Sequence, residues 1–401
     1  MSHPAASTSQ PDPELFERLR TARQRLVPDF GSDGQRRLAG AHVLVVGVGG
    51  LGCPVVQQLA AAGVGTLTLI DDDTVSVSNL HRQILFGAED VGARKVDVAA
   101  RRARALQPGI AVRRLPHPLD KDNAVELCAE ADLVIDGSDT FATKFLVADA
   151  CEVTSTPLVW GTVLGLRGDF ALWHSGDGTP DGRGVGLRDL FPEAPVSTDT
   201  CSTAGVLGAT AAVVGDLMAT TAIGWLAAIP TVVPGRVVSF ESFPPALRTM
   251  TVAAHPARAL VADVQPADGA PAAAGNAVVA AGGAGRGVVV GVAAGEALLL
   301  DIREPEELDL ARLPEFLEDS PARLWMAWHI IADEEMVRAT LTRLSHRQPE
   351  CRDVAVVCAS GGRSQGFALR FRQIAGELGL RLHNVPGGAS ALEGLQPRSR
   401  A

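Results

Sequence analysis

Residues His42 to Asp71 read HVLVVGVGGLGCPVVQQLAAAGVGTLTLID, and the prediction of the fold depends on them. Val43 to Val46 is a short, continuous apolar run, which is typical of a buried parallel strand. Thr66 to Ile70 predicts the next strand, and a helical pattern from Pro54 to Ala62 lies between the two. The first strand turns into this helix through a G-x-G-x-x-G pattern, and the glycines of the turn are Gly47, Gly49, Gly50 and Gly52.

This strand–turn–helix–strand unit has the physical properties of a phosphate-binding site. Glycines let the backbone turn tightly and let a phosphate approach closely, while the helix N-terminus offers free N–H groups and a positive dipole end. Asp71, at the end of the second predicted strand, can accept hydrogen bonds from ribose hydroxyls. Dehydrogenases share this pattern, so it predicts a nucleotide-binding fold without indicating which reaction is catalysed.

Strands and helices continue to alternate after Asp71. The segments predicted as strands are 111–115, 133–135 and 158–160, and those predicted as helices are 95–106, 123–130 and 145–151. A further helix is predicted over 13–27, and a closing pair of strands over 237–240 and 247–252. The alternation predicts an α/β fold with a Rossmann-like, doubly wound and mostly parallel sheet.

Composition restricts the class of protein. A chain of 401 residues predicts two or three domains. The formal net charge of −10 argues against nucleic-acid binding. The six cysteines form no C-x-x-C pair and therefore predict reduced thiols rather than disulfides. The N-terminus lacks a signal-peptide pattern, and we expect a cytoplasmic protein.

The most apolar stretch, residues 204–229, is long enough to be mistaken for a membrane span. Asp216 interrupts it, and the stretch is rich in Gly, Ala and Thr. These features favour a buried core helix over a transmembrane helix. We therefore expect no membrane association.

Local composition also predicts the domain boundaries. Residues 1–13 are polar and Pro-rich and are predicted to be disordered. A first domain is predicted over 14–261, and a flexible linker rich in Ala, Gly and Pro over 262–287. A second, smaller α/β domain is predicted over 288–401. Its predicted elements are strands at 298–301 and 354–358 and a helix at 365–379.

Several polar motifs follow one another along the first domain. They are Arg-x-x-Arg-Gln at 20–24, the glycine turn, Asp-x-Asp at 71–73, Ser-Asn-Leu-x-Arg-Gln at 78–83, Lys95, Ser-Asp at 138–139 and Thr-Cys at 200–201. From the segment 78–83 onward, the chain differs from a dehydrogenase. Over residues 20–252 it resembles the MoeB/ThiF family, the bacterial relatives of ubiquitin-activating enzymes.

The resemblance implies adenylation, in which a carboxylate attacks the α-phosphate of ATP. Charge develops on the phosphates in this reaction, so cations and Mg²⁺ must already be in place. Arg82 and Lys95 would hold the phosphates, Asp139 the Mg²⁺ and Asp71 the ribose. Arg23 would act from the other subunit of a homodimer. The other residues implied to bind the nucleotide are Asp73, Ser78, Asn79, Leu80, His81, Gln83 and Thr140.

The resemblance also implies a partner, a small ubiquitin-like sulfur carrier that ends in Gly-Gly. In this family, the position of Cys201 can form a covalent link with the activated carrier. A cysteine that only packs at the start of a helix is the alternative for Cys201.

The second domain contains Leu-Asp-Ile-Arg-Glu-Pro-Glu-Glu at 300–307, a compact loop from Cys358 to Ser364, and Gly387-Gly388. In these features it resembles a rhodanese. Backbone N–H groups, the dipole of the following helix and Arg363 would favour a thiolate or persulfide at Cys358. A structural buried cysteine is the alternative. The fusion implies that sulfur from thiosulfate or from a cysteine desulfurase persulfide passes through Cys358 to the carrier, which gains a thiocarboxylate.

The chain also departs from the family, whose members commonly bind zinc through two C-x-x-C pairs. The first pair's positions are Arg183 and Gly186, and no cysteine follows Pro256 in this domain. His174 and His255 are isolated, so we expect no zinc. Without zinc, residues 177–186 and 253–261 are predicted to be held by packing alone and to be mobile. Thr140 also replaces the usual Asn after Asp139.

Two other functions compete with this interpretation. An NAD-dependent oxidoreductase would share the glycine turn, but the polar residues 71–83 and Lys95 argue against it. A catalytically degenerate, carrier-binding scaffold is made plausible by the missing zinc cysteines. Exchange of labelled pyrophosphate into ATP would separate the scaffold from an active enzyme.

Overall fold

The computed structural model describes residues 12–180, 182–193, 205–264, 284–310, 312–328, 331, 334–359, 361–392 and 395. The chain forms two compact units, whose described parts lie within 12–264 and 284–395. Residues 1–11, Cys201 and most of the predicted linker lie outside the described residues, so the predicted disorder, the linker and the domain boundaries stay predictions.

The first unit is built on one large sheet. Its strands within the described residues are β1 (His42–Val46), β2 (Thr66–Ile70), β3 (Ala111–Leu115), β4 (Leu133–Asp136), β5 (Leu158–Leu164), β6 (Arg167–Ser175), β7 (Gly184–Val185), β8 (Arg236–Ser242) and β9 (Pro245–Thr251). The order is β3-β2-β1-β4-β5-β6-β8-β9, with β7 paired to β6. The strands from β3 to β5 are parallel, and those beyond β5 are antiparallel. The Rossmann-like fold class and the closing pair of strands are confirmed.

Helices lie between these strands. Within the described residues they are α1 (Pro13–Arg20), α2 (Gly31–Gly40), α3 (Gly52–Ala62), α4 (Lys95–Leu106), α5 (Ala124–Ala129), α6 (Phe141–Thr154), α7 (Leu187–Leu190) and α8 (Gly208–Leu226). The predicted helix over 13–27 is wrong beyond Arg20, because a separate short 3-10 turn follows at Gln24–Leu26. Helix α6 begins four residues before its predicted start, because the Thr140 side chain caps its first turn.

Helix α8 occupies the apolar stretch that the sequence analysis assigned to the core. Val214, Met218 and Ala222 on this helix are fully buried in one cluster with Val55 and Leu59 of α3. The prediction of a core helix is confirmed. In the described part of the chain, α8 is the one helix whose length and composition would also allow it to cross a membrane.

The second unit contains a smaller, fully parallel sheet. Its described strands, β10 (Leu298–Asp301), β11 (Arg323–Trp325), β12 (Asp353–Val357) and β13 (Arg381–Asn384), are ordered β11-β10-β12-β13. The described helices are α9 (Ala284–Ala294), α10 (Pro305–Leu310), α11 (Glu315–Glu318), α12 (Glu334–Ser345), α13 (Gly362–Arg370) and α14 (Arg372–Glu377).

Two predictions for the second unit need correction. The helix predicted over 365–379 is two helices, α13 and α14, separated at Phe371, whose ring packs 4.8 Å from that of Phe367. Helix α9 begins at Ala284, inside the segment predicted as linker.

Candidate functional site

The glycine turn connects β1 to α3 with no room for side chains at two positions. Gly47 has a positive φ of 80°, and a Cβ at Gly52 would lie 2.0 Å from the Gly47 carbonyl oxygen. Both positions therefore require glycine. Gly49 and Gly50 instead face side chains of the 78–83 segment, with a Gly49 Cβ lying 3.8 Å from Gln83 and a Gly50 Cβ 3.7 Å from Arg82. The structure thus brings the predicted turn and the predicted Arg-Gln pair together.

Asp71 lies at the carboxyl end of β2 and bonds to the glycine turn. Its Oδ2 accepts from the Val48 N–H at 2.7 Å, and its Oδ1 accepts from the Asp73 N–H at 2.9 Å. Burial raises the pKa of the Asp71 carboxyl, against the opposing effects of the Lys95 charge and of these N–H groups. A carboxylate has about four acceptor positions, so these two hydrogen bonds leave Asp71 able to accept from a ribose hydroxyl. That it binds a ribose stays a prediction.

Lys95 is the first residue of α4 and is buried beside Asp73. Its Nζ lies 2.7 Å from Asp73 Oδ2, and its backbone N–H donates to the Asp73 carbonyl at 3.1 Å. The Lys95 side chain is only 5% exposed, whereas that of Asp73 is 68% exposed. The exposed Asp73 carboxylate pairs with this buried ammonium group at the edge of the sheet where the parallel strands end.

The 78–83 segment is folded by its own hydrogen bonds. The Ser78 carbonyl accepts from an Arg82 guanidinium nitrogen at 2.9 Å and contacts His81 Nδ1 at 3.1 Å. The Asn79 side chain accepts from the Ser76 N–H. Leu80 packs against the core. Gln83 is buried, and its Oε1 has no hydrogen-bond partner among the described residues.

Asp139 and Thr140 follow β4 and differ in their environments. Asp139 is exposed, as a ligand of a nucleotide-bound Mg²⁺ would need to be. The Thr140 hydroxyl accepts from the Thr143 N–H at 3.1 Å, so it already serves as the cap of α6. Sequence reasoning missed the neighbouring Lys144, whose ammonium group is buried with Asp136 below this segment.

Arg23 is not in contact with the nucleotide-site residues described in its own chain. The outer residues of its motif anchor the segment: Gln24 donates to the Ala62 carbonyl at 2.9 Å, and Arg20 donates to the Ala61 carbonyl. Arg23 itself is exposed, and its side chain makes no hydrogen bond with the described residues. Its predicted action on a second subunit stays a prediction.

The Cys358 sulfur lies at the carboxyl end of β12, surrounded by donors. Gly361 N–H donates to Sγ at 3.0 Å and Ser364 N–H at 3.4 Å, while the Ser364 hydroxyl lies 3.3 Å away. Cys358 is fully buried. A Cβ at Gly388 would lie 2.3 Å from the Cys358 carbonyl oxygen, which explains the predicted glycine pair. These donors can stabilise a sulfur anion.

Arg363 forms an ion pair within the second unit. Its guanidinium forms an ion pair with Glu307 and lies 5.9 Å from the centre of the Trp328 ring. Glu307 also accepts from the Glu304 N–H at 2.8 Å. Arg363 therefore links the 300–307 motif to the first turn of α13, and its predicted effect on the thiolate stays a prediction.

The residues at the family's zinc positions do not fit zinc. Arg183 donates to the carbonyls of Arg258 and His255, both at 2.7 Å, so it joins its own segment directly to residues 255–258. Among the described residues, no group of three or more His, Cys, Asp and Glu is placed to hold a metal ion. Whether the protein contains zinc stays a prediction.

A network of ion pairs lies at this position. Arg258 forms paired bonds to Glu152 at 2.8 and 2.9 Å and to Asp189 at 2.9 and 3.0 Å. The Val261 N–H also donates to Glu152 at 2.7 Å. The two carboxylates are almost fully buried. The expectation that packing alone holds residues 177–186 and 253–261 is therefore wrong, because charge-assisted hydrogen bonds join them to α6 and α7.

Arg258→Met is expected to destabilise the first unit by about 3–5 kcal/mol, because it removes the cation paired with buried Glu152 and leaves buried Asp189 paired with Arg183 alone. Burial alone would raise the pKa of the Asp189 carboxyl. Hydrogen bonds from Arg258 and from the Gly186 and His255 N–H groups outweigh burial and lower this pKa to about 2. The part of this stabilisation that comes from Asp189 is thus complete above pH ~5 and is lost as the pH falls toward 2. Denaturant unfolding at several pH values measures both effects.

The control for this experiment is Arg248→Met, because Arg248 is exposed on β9 and forms no ion pair with the described residues. Its unfolding midpoint should stay near that of the wild type. A metal chelator should leave the wild-type midpoint unchanged. An Arg258→Met variant as stable as the wild type, or a wild type that a chelator destabilises, would contradict this account.

Comparison with known proteins identifies the class to which this chain belongs. Residues 21–260 match the ThiF family. The chain is 37% identical to the probable adenylyltransferase/sulfurtransferase MoeZ of Mycobacterium tuberculosis, over 74% of this chain and 77% of that one. It is 42% identical to the sulfur carrier protein adenylyltransferase of Thermus thermophilus, over 58% of this chain and 87% of that one. The chain belongs to the ThiF family.

A further relative covers both units. The adenylyltransferase and sulfurtransferase MOCS3 of Caenorhabditis briggsae is 31% identical over 90% of this chain and 91% of its own length. The protein is therefore an enzyme that uses ATP, with adenylyltransferase and sulfurtransferase activities. Among solved structures, E. coli MccB with MccA-N7isoASN shares the fold, with a TM-score of 0.53 and 20% identity over 60% of this chain and 74% of that one.

Proposed function

We propose that this enzyme adenylates the C-terminal carboxylate of a small ubiquitin-like sulfur carrier ending in Gly-Gly. Cys358 then supplies the sulfur that converts this carboxylate to a thiocarboxylate. The observation that carries the proposal is the presence of two chemically distinct centres on one chain. One is the glycine turn with Lys95 and Arg82, and the other is the Cys358 sulfur among its hydrogen-bond donors.

In the first half of the reaction, a carrier carboxylate oxygen attacks the α-phosphorus of ATP, and pyrophosphate leaves. Lys95 and Arg82 bind the phosphates and stabilise the charge that develops during the attack. Asp139 would hold Mg²⁺, which neutralises further phosphate charge. Asp71 and Gln83 orient the nucleotide, since Gln83 has an unused buried acceptor beside the turn.

In the second half, the Cys358 thiolate attacks the outer sulfur of a donor such as thiosulfate. A persulfide forms and sulfite leaves. The terminal persulfide sulfur then attacks the carrier's acyl-adenylate, and AMP leaves. Attack by a second thiol on the Cys358 sulfur releases the carrier thiocarboxylate and leaves a disulfide at Cys358, which a further thiol reduces. A desulfurase persulfide would replace thiosulfate by the same exchange.

Cys201 lies outside the described residues, and we keep both of its predicted roles. A covalent intermediate predicts that Cys201→Ala loses thiocarboxylate formation while adenylation persists. A packing role predicts a loss that tracks protein stability. The described cysteines are all free, and this supports a reducing, cytoplasmic location.

We further propose that the enzyme is a homodimer in which Arg23 completes the partner's nucleotide site. Helix α1 buries none of its residues within its own chain. Helix α1 and the residues that follow it to position 27 expose five large apolar side chains, which are Leu15, Phe16, Leu19, Leu26 and Val27. Apolar patches of this kind are typical of protein interfaces. A two-fold dimer would cover both copies of this surface. It would also place each Arg23 near the nucleotide site of the other subunit.

Mixing the inactive variants Arg23→Ala and Lys95→Ala is expected to restore pyrophosphate exchange. In a two-fold dimer, random mixing makes about half of the dimers mixed, and each mixed dimer has one intact site. Exchange should therefore return to about one quarter of the wild-type rate after subunits exchange. A mixture that remains inactive, or an Arg23→Ala variant with full activity, would contradict the shared site.

The experiment that tests the first half of the function is exchange of labelled pyrophosphate into ATP. We expect exchange that depends on a carrier with a free C-terminal Gly-Gly carboxylate. A carrier that lacks its last glycine provides the matched control. An enzyme that binds the carrier and ATP without any exchange would instead be the degenerate scaffold.

A further inference from the structure

Lys144 is a buried ammonium group beneath the proposed nucleotide site. Only three of the chain's 36 Lys and Arg residues are lysines, at 95, 121 and 144. Lys95 and Lys144 are buried, and each contacts an aspartate at or just after the end of a parallel strand. Lys121 is exposed on the surface. Sequence motifs indicate a function for Lys95 but none for Lys144.

The Lys144 amine uses its donors on three different groups. Nζ donates to the Gly161 carbonyl on β5 at 2.6 Å and to the Ser138 carbonyl at 2.7 Å, and it lies 3.4 Å from Asp136 Oδ2. The side chains of Lys144 and Asp136 are 2% and 0% exposed. An ammonium group has three N–H donors, so none remains for a substrate. Lys144 can therefore act only through the groups that it binds.

Those groups form the turn that leads to Asp139. Asp136 Oδ1 accepts from the Ser138 N–H at 3.0 Å and from the Ser138 hydroxyl at 2.5 Å. Gly137 N–H donates to the Val46 carbonyl at 2.8 Å, and a Cβ at Gly47 would lie 3.1 Å from the Gly137 carbonyl carbon. The turn formed by residues 136–138 is thus packed tightly against the glycine turn. A shift of Ser138 would move Asp139 relative to the phosphate site.

Stability alone does not explain a charged pair at this position. Burying an ammonium group costs several kcal/mol, and apolar replacement of a complete buried pair is often neutral or stabilising. An arginine would carry the same charge, but its planar guanidinium cannot reproduce the three converging bonds of an ammonium group. The geometry therefore favours a role in fixing the turn.

We propose that Lys144 is a positioning residue for the adenylation reaction. By holding the Ser138 carbonyl and Asp136, it fixes the position of Asp139, which would hold Mg²⁺ for the ATP phosphates. The inference rests on the metal-binding role proposed above for Asp139. A displacement of about 1 Å at such a site can cost about 10²-fold in rate.

The test compares ATP binding with and without Mg²⁺, by calorimetry on the full-length protein without carrier. The variant Asp136→Asn/Lys144→Met removes both charges together, so that no unpaired buried charge remains. We expect its metal-free affinity for ATP to match the wild type, while the gain in affinity on adding Mg²⁺ falls about tenfold, or about 1.4 kcal/mol. Lys144→Arg keeps the charge and should show the same loss. Lys121→Met is the surface control and should behave as the wild type.

Carrier-dependent pyrophosphate exchange provides the second measurement, and the Mg²⁺ concentration that half-saturates it should rise in both Lys144 variants. Unchanged Mg²⁺ dependence in Lys144→Arg overturns the inference, even if the double variant fails to fold. A lower unfolding temperature with unchanged Mg²⁺ dependence shows a purely structural role and overturns it as well. Asp139→Ala separates the two proposals, because normal Mg²⁺ dependence in that variant refutes the metal ligand itself.

Discussion

Replacing Cys358 by alanine is expected to abolish sulfur transfer while adenylation continues. Alanine has no sulfur to carry the persulfide, so the N–H groups of Gly361 and Ser364 lose the atom that they bind. Cleavage of thiosulfate and formation of the carrier thiocarboxylate should fall below detection. Pyrophosphate exchange in the same preparation should stay near the wild-type rate, because the residues of the proposed nucleotide site lie in the other unit.

The matched control is Cys351→Ala. Cys351 is also a buried thiol of the second unit, and its sulfur lies 3.2 Å from the Gly295 carbonyl oxygen rather than among N–H donors. Its removal should leave sulfur transfer active. Normal thiocarboxylate formation by Cys358→Ala with thiosulfate as donor would refute the fused mechanism. The second unit would then be a docking module.

Lys95→Ala and Asp139→Ala are each expected to reduce pyrophosphate exchange by at least about 10²-fold, the scale of losing one electrostatic contact in a transition state. Lys95 is buried, so its charge would act on bound phosphates with little screening by solvent. The Asp139→Ala variant would lack the carboxylate that is proposed to hold Mg²⁺. Both effects appear in the rate of exchange at saturating ATP.

Lys121→Ala serves as the control, because Lys121 lies on the surface, where it pairs with exposed Asp122. We expect it to exchange pyrophosphate at the wild-type rate. If exchange survives in both Lys95→Ala and Asp139→Ala, the assignment of the nucleotide site is wrong. If the wild type itself shows none with any carrier, the scaffold interpretation replaces the enzyme.

The elements that sequence predicts best are those whose determinants are local. Strands 66–70 and 111–115 and helix 95–106 have the predicted limits, because apolar periodicity and the flanking turn residues define them. The start of α6 depends on one side-chain cap at Thr140, which periodicity does not reveal. The break at Phe371 depends on aromatic packing, so a continuous helical pattern conceals it.

The candidate sites show the same division. Motif spacing predicts the glycine turn, Lys95 and Cys358, since each depends on backbone geometry near one strand end. The partner of Arg363 was not predictable, because Glu307 comes from a distant segment. Likewise, the missing cysteines predicted the loss of zinc ligands. They gave no sign that Arg258, Glu152 and Asp189 would converge in their place.

One chain is expected both to activate a carrier carboxylate and to supply its sulfur. Mass spectrometry of small ubiquitin-like carriers ending in Gly-Gly, after incubation with the full-length protein, MgATP and thiosulfate, tests it directly. We predict a carrier whose mass increases by the replacement of one oxygen by one sulfur, only when ATP and an intact Cys358 are both present. A carrier that forms the acyl-adenylate but never gains sulfur from the wild-type enzyme would contradict the account.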